Sequence, residues 1–176
     1  MAEFLIYIEK KSYYMALLAT SSHADALDLL QDSMIKLVTK YAKKPSNEWQ
    51  PLFYKILQNR IRDWHRHQKV KNILFFWKYD NDDDVHDLQP AMNNEYIEET
   101  PETVVVKDQQ KAAAIEYLKR LSSKQQQCFL LRSWEGLSVA ETAEIMACSQ
   151  GSVKTHYFRA VTKLRTMMED DHEITF

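Results

Sequence analysis

Only 2 of the 176 residues are glycine, at positions 136 and 151, and 4 are proline. Sheets of short strands need a tight turn about every ten residues, and the favoured turns draw on glycine or proline. This chain has too few of either to fold that way. Its apolar residues instead recur three and four positions apart, which lines them up on one side of a helix. The expected fold is all-α: two small helical domains joined by an acidic flexible linker, with a helix-turn-helix in the second. A chain of this length divides readily into two such domains, each with a modest core.

The segment Leu137 to Arg165, LSVAETAEIMACSQGSVKTHYFRAVTKLR, carries the helix-turn-helix. Ser138 and Glu141 form a capping box, so a helix should open near Val139. Val139, Ala143 and Met146 mark its apolar side, and Ala147, Cys148 and Ser149 then break the pattern as a short turn. On the helix that follows, Val153, Tyr157, Val161 and Leu164 make one buried stripe. Ser152, Thr155, His156, Arg159 and Lys163 fall opposite it. Between Gln150 and Thr166 there are 4 basic residues and no acidic one, the balance a helix facing phosphates needs. That fits a helix-turn-helix whose second helix enters the major groove. An ordinary helical hairpin with a solvated basic face has the same pattern.

The formal net charge is only -2, but its distribution is uneven. Leu52 to Lys78 holds seven basic residues against one acidic, a balance of +6. Asp80 to Asp108 holds ten acidic against one basic, a balance of -9. The near-neutral total therefore hides a basic module, an acidic connector and a second basic helix. The apolar runs are too short for a membrane span, and MAEFLIYIEKK lacks the form of a secretory signal, so a cytoplasmic protein is expected. Cys128 and Cys148 read as buried free thiols of such a protein.

Taken in order, a first helix from Glu3 to about Thr20 places Phe4, Ile8, Lys11 and Met15 on one face. Thr20, Ser21 and Ser22 cap the next helix, which runs from about Ala24 to Lys40. There Leu27, Leu30, Met34, Leu37 and Tyr41 form the apolar stripe, and Asp25, Asp28, Gln31, Asp32 and Lys36 the outer face. That face reads either as solvated or as a protein-docking surface. A basic loop, Lys43 to Asn47, follows. From Leu52 to about Val70 a third helix turns Phe53, Ile56, Leu57, Ile61 and Trp64 inward. Lys55, Asn59, Arg62 and Arg66 point outward with only Asp63 to offset them. A basic helix with aromatic residues at both ends suits single-stranded or melted DNA, because bases stack while phosphates pair. The apolar patch Ile73 to Trp77 is expected to fold back onto the bundle. Asp80 to Pro101 reads as a linker rather than a metal site, since DNDDDVHD lacks the glycine and terminal glutamate of a calcium loop. Beyond it Ala112, Ile115, Leu118 and Leu121 pack inside. Ser123 with Gln126 should open a helix through Cys128, Leu131 and Trp134 that stops at Gly136.

With both modules in view, the chain resembles the extracytoplasmic-function group of the sigma-70 family of bacterial transcription factors. DALDLLQDSMIKL, Asp25 to Leu37, is similar to the family's core-binding segment. WQPLFYKILQNRIRDWHRHQ, Trp49 to Gln68, is similar to its minus-ten recognition helix. LSSKQQQCFLLRSWEGLSVAETAEIMACSQGSVKTHYFRAVTKLR is similar to its minus-thirty-five domain. The resemblance implies a region 2-like domain over residues 1–78, an acidic linker over 79–107 and a region 4-like domain over 108–176. It implies no catalysis, cofactor or metal. The partners it implies are core RNA polymerase, through the clamp of its largest subunit and the flap of its second largest, promoter DNA, and an anti-sigma factor.

Residue by residue, the resemblance puts Asp28, Leu29, Gln31 and Asp32 against the clamp. Asn47 and Trp49 fall in the loop, Tyr41 to Trp49, that captures a flipped base of the minus-ten element. Asn59, Arg62, Asp63 and Arg66 lie on the helix after it. Ser152, Lys154, Thr155, His156 and Arg159 face the minus-thirty-five major groove, with Phe158 at the edge of that set. Lys, Thr and His stand where relatives are richer in Arg, so no promoter sequence is carried over. Two other readings stay open on the residues alone: a duplex-binding regulator that needs no polymerase, and a metal-dependent enzyme built on the DNDDD run.

Overall fold

Of the first three helices, the second starts at a serine cap. In the computed structural model, which describes residues 1–79 and 113–173 and the side chains of 1–70 and 113–170, α1 spans Ala2–Thr20, α2 His23–Tyr41 and α3 Ser46–Tyr79. Ser21 ends α1 in the left-handed region at φ 54. Its neighbour Ser22 accepts a 3.3 Å hydrogen bond from the Asp25 N–H and so caps α2. The chain divides into two units. In the first, α2 packs on both α1 and α3, and α1 also touches α3. The acidic linker expected over 79–107 lies almost wholly outside the described residues.

The core of this unit holds Ile8, Met15, Ala16, Leu30, Leu37, Phe53, Tyr54 and Leu57. Two polar side chains are buried with it and satisfied across helices. The Ser12 hydroxyl donates to the Tyr54 hydroxyl at 3.4 Å, and the Gln58 amide reaches the Met15 sulfur at 3.0 Å. Ser12 rather than Lys11 therefore occupies the inner face of α1. On α2 the buried set is Ala26, Leu29, Leu30, Ser33 and Leu37, while Leu27, Met34 and Tyr41 are half-buried. The small residues Ala26 and Ser33 let the helices approach, and that turns α2 away from the face its larger apolar residues suggest.

Two expectations about α3 are corrected. It begins at Ser46, ahead of Pro51, so the connection after α2 is only the residues 42–45 rather than a loop reaching Trp49. Pro51 lies near enough to the start that its missing N–H costs a single rung, the one to the Asn47 carbonyl. The helix also runs on through Tyr79, so the backbone of Ile73 to Trp77 continues α3 instead of folding back. Nothing between Val70 and Ile73 breaks it: there is no glycine or proline there.

In the second unit α4 covers residues 113–119. Then come α5 at Ser123–Phe129, a π-helical turn at Leu130–Trp134, α6 at Val139–Met146 and α7 at Gln150–Glu173. The capping box of α5 is Ser122 with Gln125, one residue earlier than expected, and the Ser122 N–H donates to Gln125 at 3.3 Å. Gln126 is buried instead and donates to the Leu118 carbonyl at 2.9 Å. Gly136 adopts φ +70 after the π turn, the left-handed stop its sequence position predicts.

The hinge between α6 and α7 rests on Ala147, which takes φ 52 without being glycine. Its side chain is exposed, so nothing is lost by deleting the β-carbon, and a left-handed L-residue costs about 1 kcal/mol relative to glycine. Ala147→Gly should therefore stabilise the second unit by up to about 0.5 kcal/mol after its own unfolded-state entropy cost. A rise in the midpoint of denaturant unfolding at unchanged slope would show it.

Candidate nucleic-acid and protein interfaces

The outer face of α2 carries Asp28, Gln31 and Asp32 exposed, in the order the sequence suggests. Asp32 is held by Arg60 of α3 at 3.4 Å. Leu29, expected among the docking residues, is buried in the core at 9% exposure and faces away from them. In its place the structure exposes two apolar side chains, Ile35 at 60% and Val38 at 39%. With Asp28 and Gln31 they follow one helical line, three and four residues apart. Neighbouring apolar side chains rimmed by polar ones make a small patch of the kind a protein partner can cover. Sequence periodicity missed them because Ile35 sits next to Met34 and scores equally well as core.

At the start of α3, Asn47 is exposed, whereas Trp49 is half-buried and already engaged. Its indole N–H donates to the Lys44 carbonyl at 2.9 Å, and its ring lies 5.8 Å from that of Phe4. Lys44 in turn pairs with Glu48 at 3.2 Å. Trp49 thus pins the connection to α1, and Asn47 is the member of the pair with a free outward position. Further along, Asn59, Asp63 and Arg66 are exposed and Arg62 half-buried on one stripe. Asp63 and Arg66 stand 3.6 Å apart. Burial first, then the Lys69 charge, pulls the His65 imidazole below its usual range.

The second unit builds its candidate surface on a capped pair of helices. Ser138 accepts from the Glu141 N–H at 3.2 Å, and the Glu141 carboxylate accepts from the Ser138 N–H at 2.8 Å. These bonds to Ser138, aided by nearby Arg132 and opposed by burial, hold the Glu141 carboxyl below its usual range. Ser149 caps α7 by accepting from the Ser152 N–H at 3.1 Å. Val153 packs the inner side of α7 against Cys128 and Ala143, and Ala160 is buried further along the helix. That fixes Lys154, Thr155, Phe158 and Arg159 outward, with Ser152 and His156 half-buried beside them.

The Thr155 hydroxyl donates back to the Gly151 carbonyl at 3.0 Å, which leaves its methyl as the outward group. Phe158 is 71% exposed. Its ring is open to solvent beside Lys154 and Arg159, where it can meet a thymine methyl. Lys163, on the other hand, spends its ammonium on the Arg120 carbonyl at 2.6 Å. Away from this face, an open apolar groove of about 460 Å³ is lined by Phe129, Val161, Leu164, Arg165, Met168 and Glu169.

Cys128 is fully buried, its thiol donating to the Val153 carbonyl at 3.3 Å and pushed up to about 11, chiefly by burial. Cys148 is only half-buried, so one of the two thiols is less enclosed than the sequence suggests. Among the described residues no group of three or more His, Cys, Asp and Glu side chains is placed to hold a metal. The DNDDD run lies outside them. No described helix is long and apolar enough to cross a membrane.

The second unit thus joins α6 and α7 in a capped helix-turn-helix whose second helix has no acidic residue between Gln150 and Thr166. The model of sigma-70 region 4 matches residues 111–164. Over 75 residues the chain is 41% identical to the ECF RNA polymerase sigma factor BldN of Streptomyces coelicolor, a match that covers 43% of this chain and 28% of BldN. It is 25% identical over 146 residues to the RNA polymerase sigma-E factor of Streptomyces avermitilis, covering 82% of this chain and 72% of that one. In fold it is similar to the sigma factor RpoE of Bartonella quintana, solved in complex with the anti-sigma factor NepR. There the TM-score is 0.64 and the identity 19%, with 96% of each chain covered. The chain is thus similar to sigma-70 factors, and over part of its length to one of the extracytoplasmic-function group.

Proposed function

We propose that this protein binds core bacterial RNA polymerase in the cytoplasm and directs it to specific promoters, without catalysing any reaction itself. The observation that carries this is the outer face of α7. Lys154, Thr155, Phe158 and Arg159 are exposed there on a helix with no acidic residue between Gln150 and Thr166. Such a face neutralises phosphates along the groove while its side chains meet base edges. Similarity to sigma factors supports polymerase as the partner.

The work divides between the units, as a region 2-like domain over residues 1–78 and a region 4-like domain over 108–176 joined by the acidic segment. Ser152, Lys154, Thr155, His156 and Arg159 engage duplex DNA at the minus-thirty-five element. Asn47, Asn59, Arg62 and Arg66 hold melted minus-ten DNA, with Asp63 setting Arg66 and Trp49 setting the connection that bears Asn47. Asp28, Gln31 and Asp32, together with Ile35, dock on the polymerase clamp, and Leu29 anchors the helix that carries them. The apolar groove beside α7 takes an apolar helix of the flap. An anti-sigma protein that covers these faces would hold the factor inactive, as NepR accompanies the RpoE that this chain resembles in fold.

Run-off transcription with purified core polymerase on promoters of the source genome tests the reading. Specific start sites that depend on both components are expected. Tight promoter binding by the chain alone, with no change in polymerase start sites, would instead establish a duplex-binding regulator.

A further inference from the structure

Most of α7's inward anchors are small and non-directional. Val153 and Ala160 are both fully buried, and neither resists a few degrees of rotation of the helix about its own axis. Tyr157 differs. Its ring stacks on Phe129 of α5 with centroids 6.4 Å apart and planes 15° apart. Its hydroxyl and that of Ser133 stand 2.9 Å apart, and the Arg132 guanidinium lies over its ring at 5.9 Å. Three contacts of different kinds thus converge on one side chain of the recognition helix, and one of them fixes the direction of its tip.

All three partners flank or occupy the π-helical turn at Leu130–Trp134. A π turn is rarer than an α turn and tends to persist where it places side chains for a purpose. Here the Glu135 N–H closes on the Leu130 carbonyl and the Leu137 N–H on the Leu131 carbonyl, both at 3.0 Å, five and six residues back. Arg132 also donates to the Leu137 carbonyl, which immediately precedes the capping residue of α6. One guanidinium therefore ties the π turn, the entry to α6 and the ring of Tyr157 together.

We propose that this π turn, acting through Tyr157, sets the roll of α7, and that Arg132 and Ser133 are positioning residues for promoter discrimination. The inference rests on the reading that α7 enters DNA. Side chains reach about 5–6 Å from a helix axis, so a roll of about 10° moves a base-reading group by about 1 Å. Base-edge hydrogen bonds do not survive that displacement well, whereas phosphate attraction does. Loosening the latch should blunt sequence choice before it weakens affinity.

The test uses the full chain with core polymerase. It compares transcription from a matched promoter with one altered in its minus-thirty-five element, for Tyr157→Phe, Ser133→Ala, the double variant and Arg159→Ala. Tyr157→Phe keeps the stacked ring and the burial and removes only the hydroxyl. The matched-to-altered ratio should fall roughly three- to tenfold in each single latch variant, the size of one lost hydrogen bond. The double variant should lose no more than either single, because both delete the same contact. Thermal midpoints recorded alongside separate misplacement from unfolding. An unchanged ratio in the latch variants, with Arg159→Ala still weakening promoter use, overturns the latch alone. A ratio that falls only in step with lost folded protein also overturns it. If Arg159→Ala has no effect either, the DNA reading falls and the latch with it.

Discussion

Asp28→Arg should reduce binding to core RNA polymerase by at least about a hundredfold while leaving the first unit folded. The carboxylate is exposed on the outer line of α2 that also holds Gln31, Ile35 and Val38. Reversing an interfacial charge replaces an attraction with a like-charge contact worth several kcal/mol, and about 1.4 kcal/mol is tenfold in affinity. An exposed substitution of this kind changes stability by no more than about 0.5 kcal/mol. Ile35→Asp should act with similar strength, since it buries a charge where an apolar anchor sat. Leu29→Ala provides the contrast. It removes a buried side chain, so it should cost about 2–5 kcal/mol of folding stability and lower binding only through loss of folded protein. Co-purification with core polymerase and a denaturant melt, run on the same three variants, separate the two kinds of effect. Wild-type binding by Asp28→Arg would remove α2 from the docking surface.

The second large effect is expected at the other end of the chain. Arg159→Ala should weaken use of a matched promoter by roughly ten- to a hundredfold with binding to core polymerase intact. A well-placed arginine on a base or phosphate contributes about 1–3 kcal/mol. Salt distinguishes the two roles. If Arg159 neutralises a phosphate, its loss lowers the slope of log affinity against log salt by about one and weakens all sequences alike. If it reads a base edge, the loss concentrates on one position of the minus-thirty-five element. Either outcome keeps α7 in the groove, and no change in either measurement takes it out.

What was legible in the sequence is mostly what neighbours decide. The Ser138–Glu141 box, the glycine stop at 136 and the turn at Ala147–Ser149 each depend on residues within a few positions, and all are present in the structure. Orientation was less legible. Ser12 is buried because Tyr54, 42 residues away, offers its hydroxyl, and no local pattern announces that. Leu29, expected on the docking face, is buried beside Ala26 and Ser33, and Ile35, which the apolar stripe leaves out, is exposed instead. The capping serine of α5 moved by one residue because Gln126 found a carbonyl on α4 to bond, leaving Gln125 for the box. The link of Trp49 to Lys44 and Phe4 has no local signature either, because it forms only once α1 and α3 are side by side.

That link limits how the first unit can diversify. The connection at residues 42–45 is anchored at both ends, by α2 and by the indole that clasps the Lys44 carbonyl. Inserting residues there would lift Trp49 off Phe4 and loosen the start of α1 together with the start of α3. Change at this corner is therefore confined to exchanging side chains on a backbone of fixed length. Grafting the four residues from a relative with an equally long connection would transplant chemistry without disturbing the bundle, whereas a longer graft would unseat it.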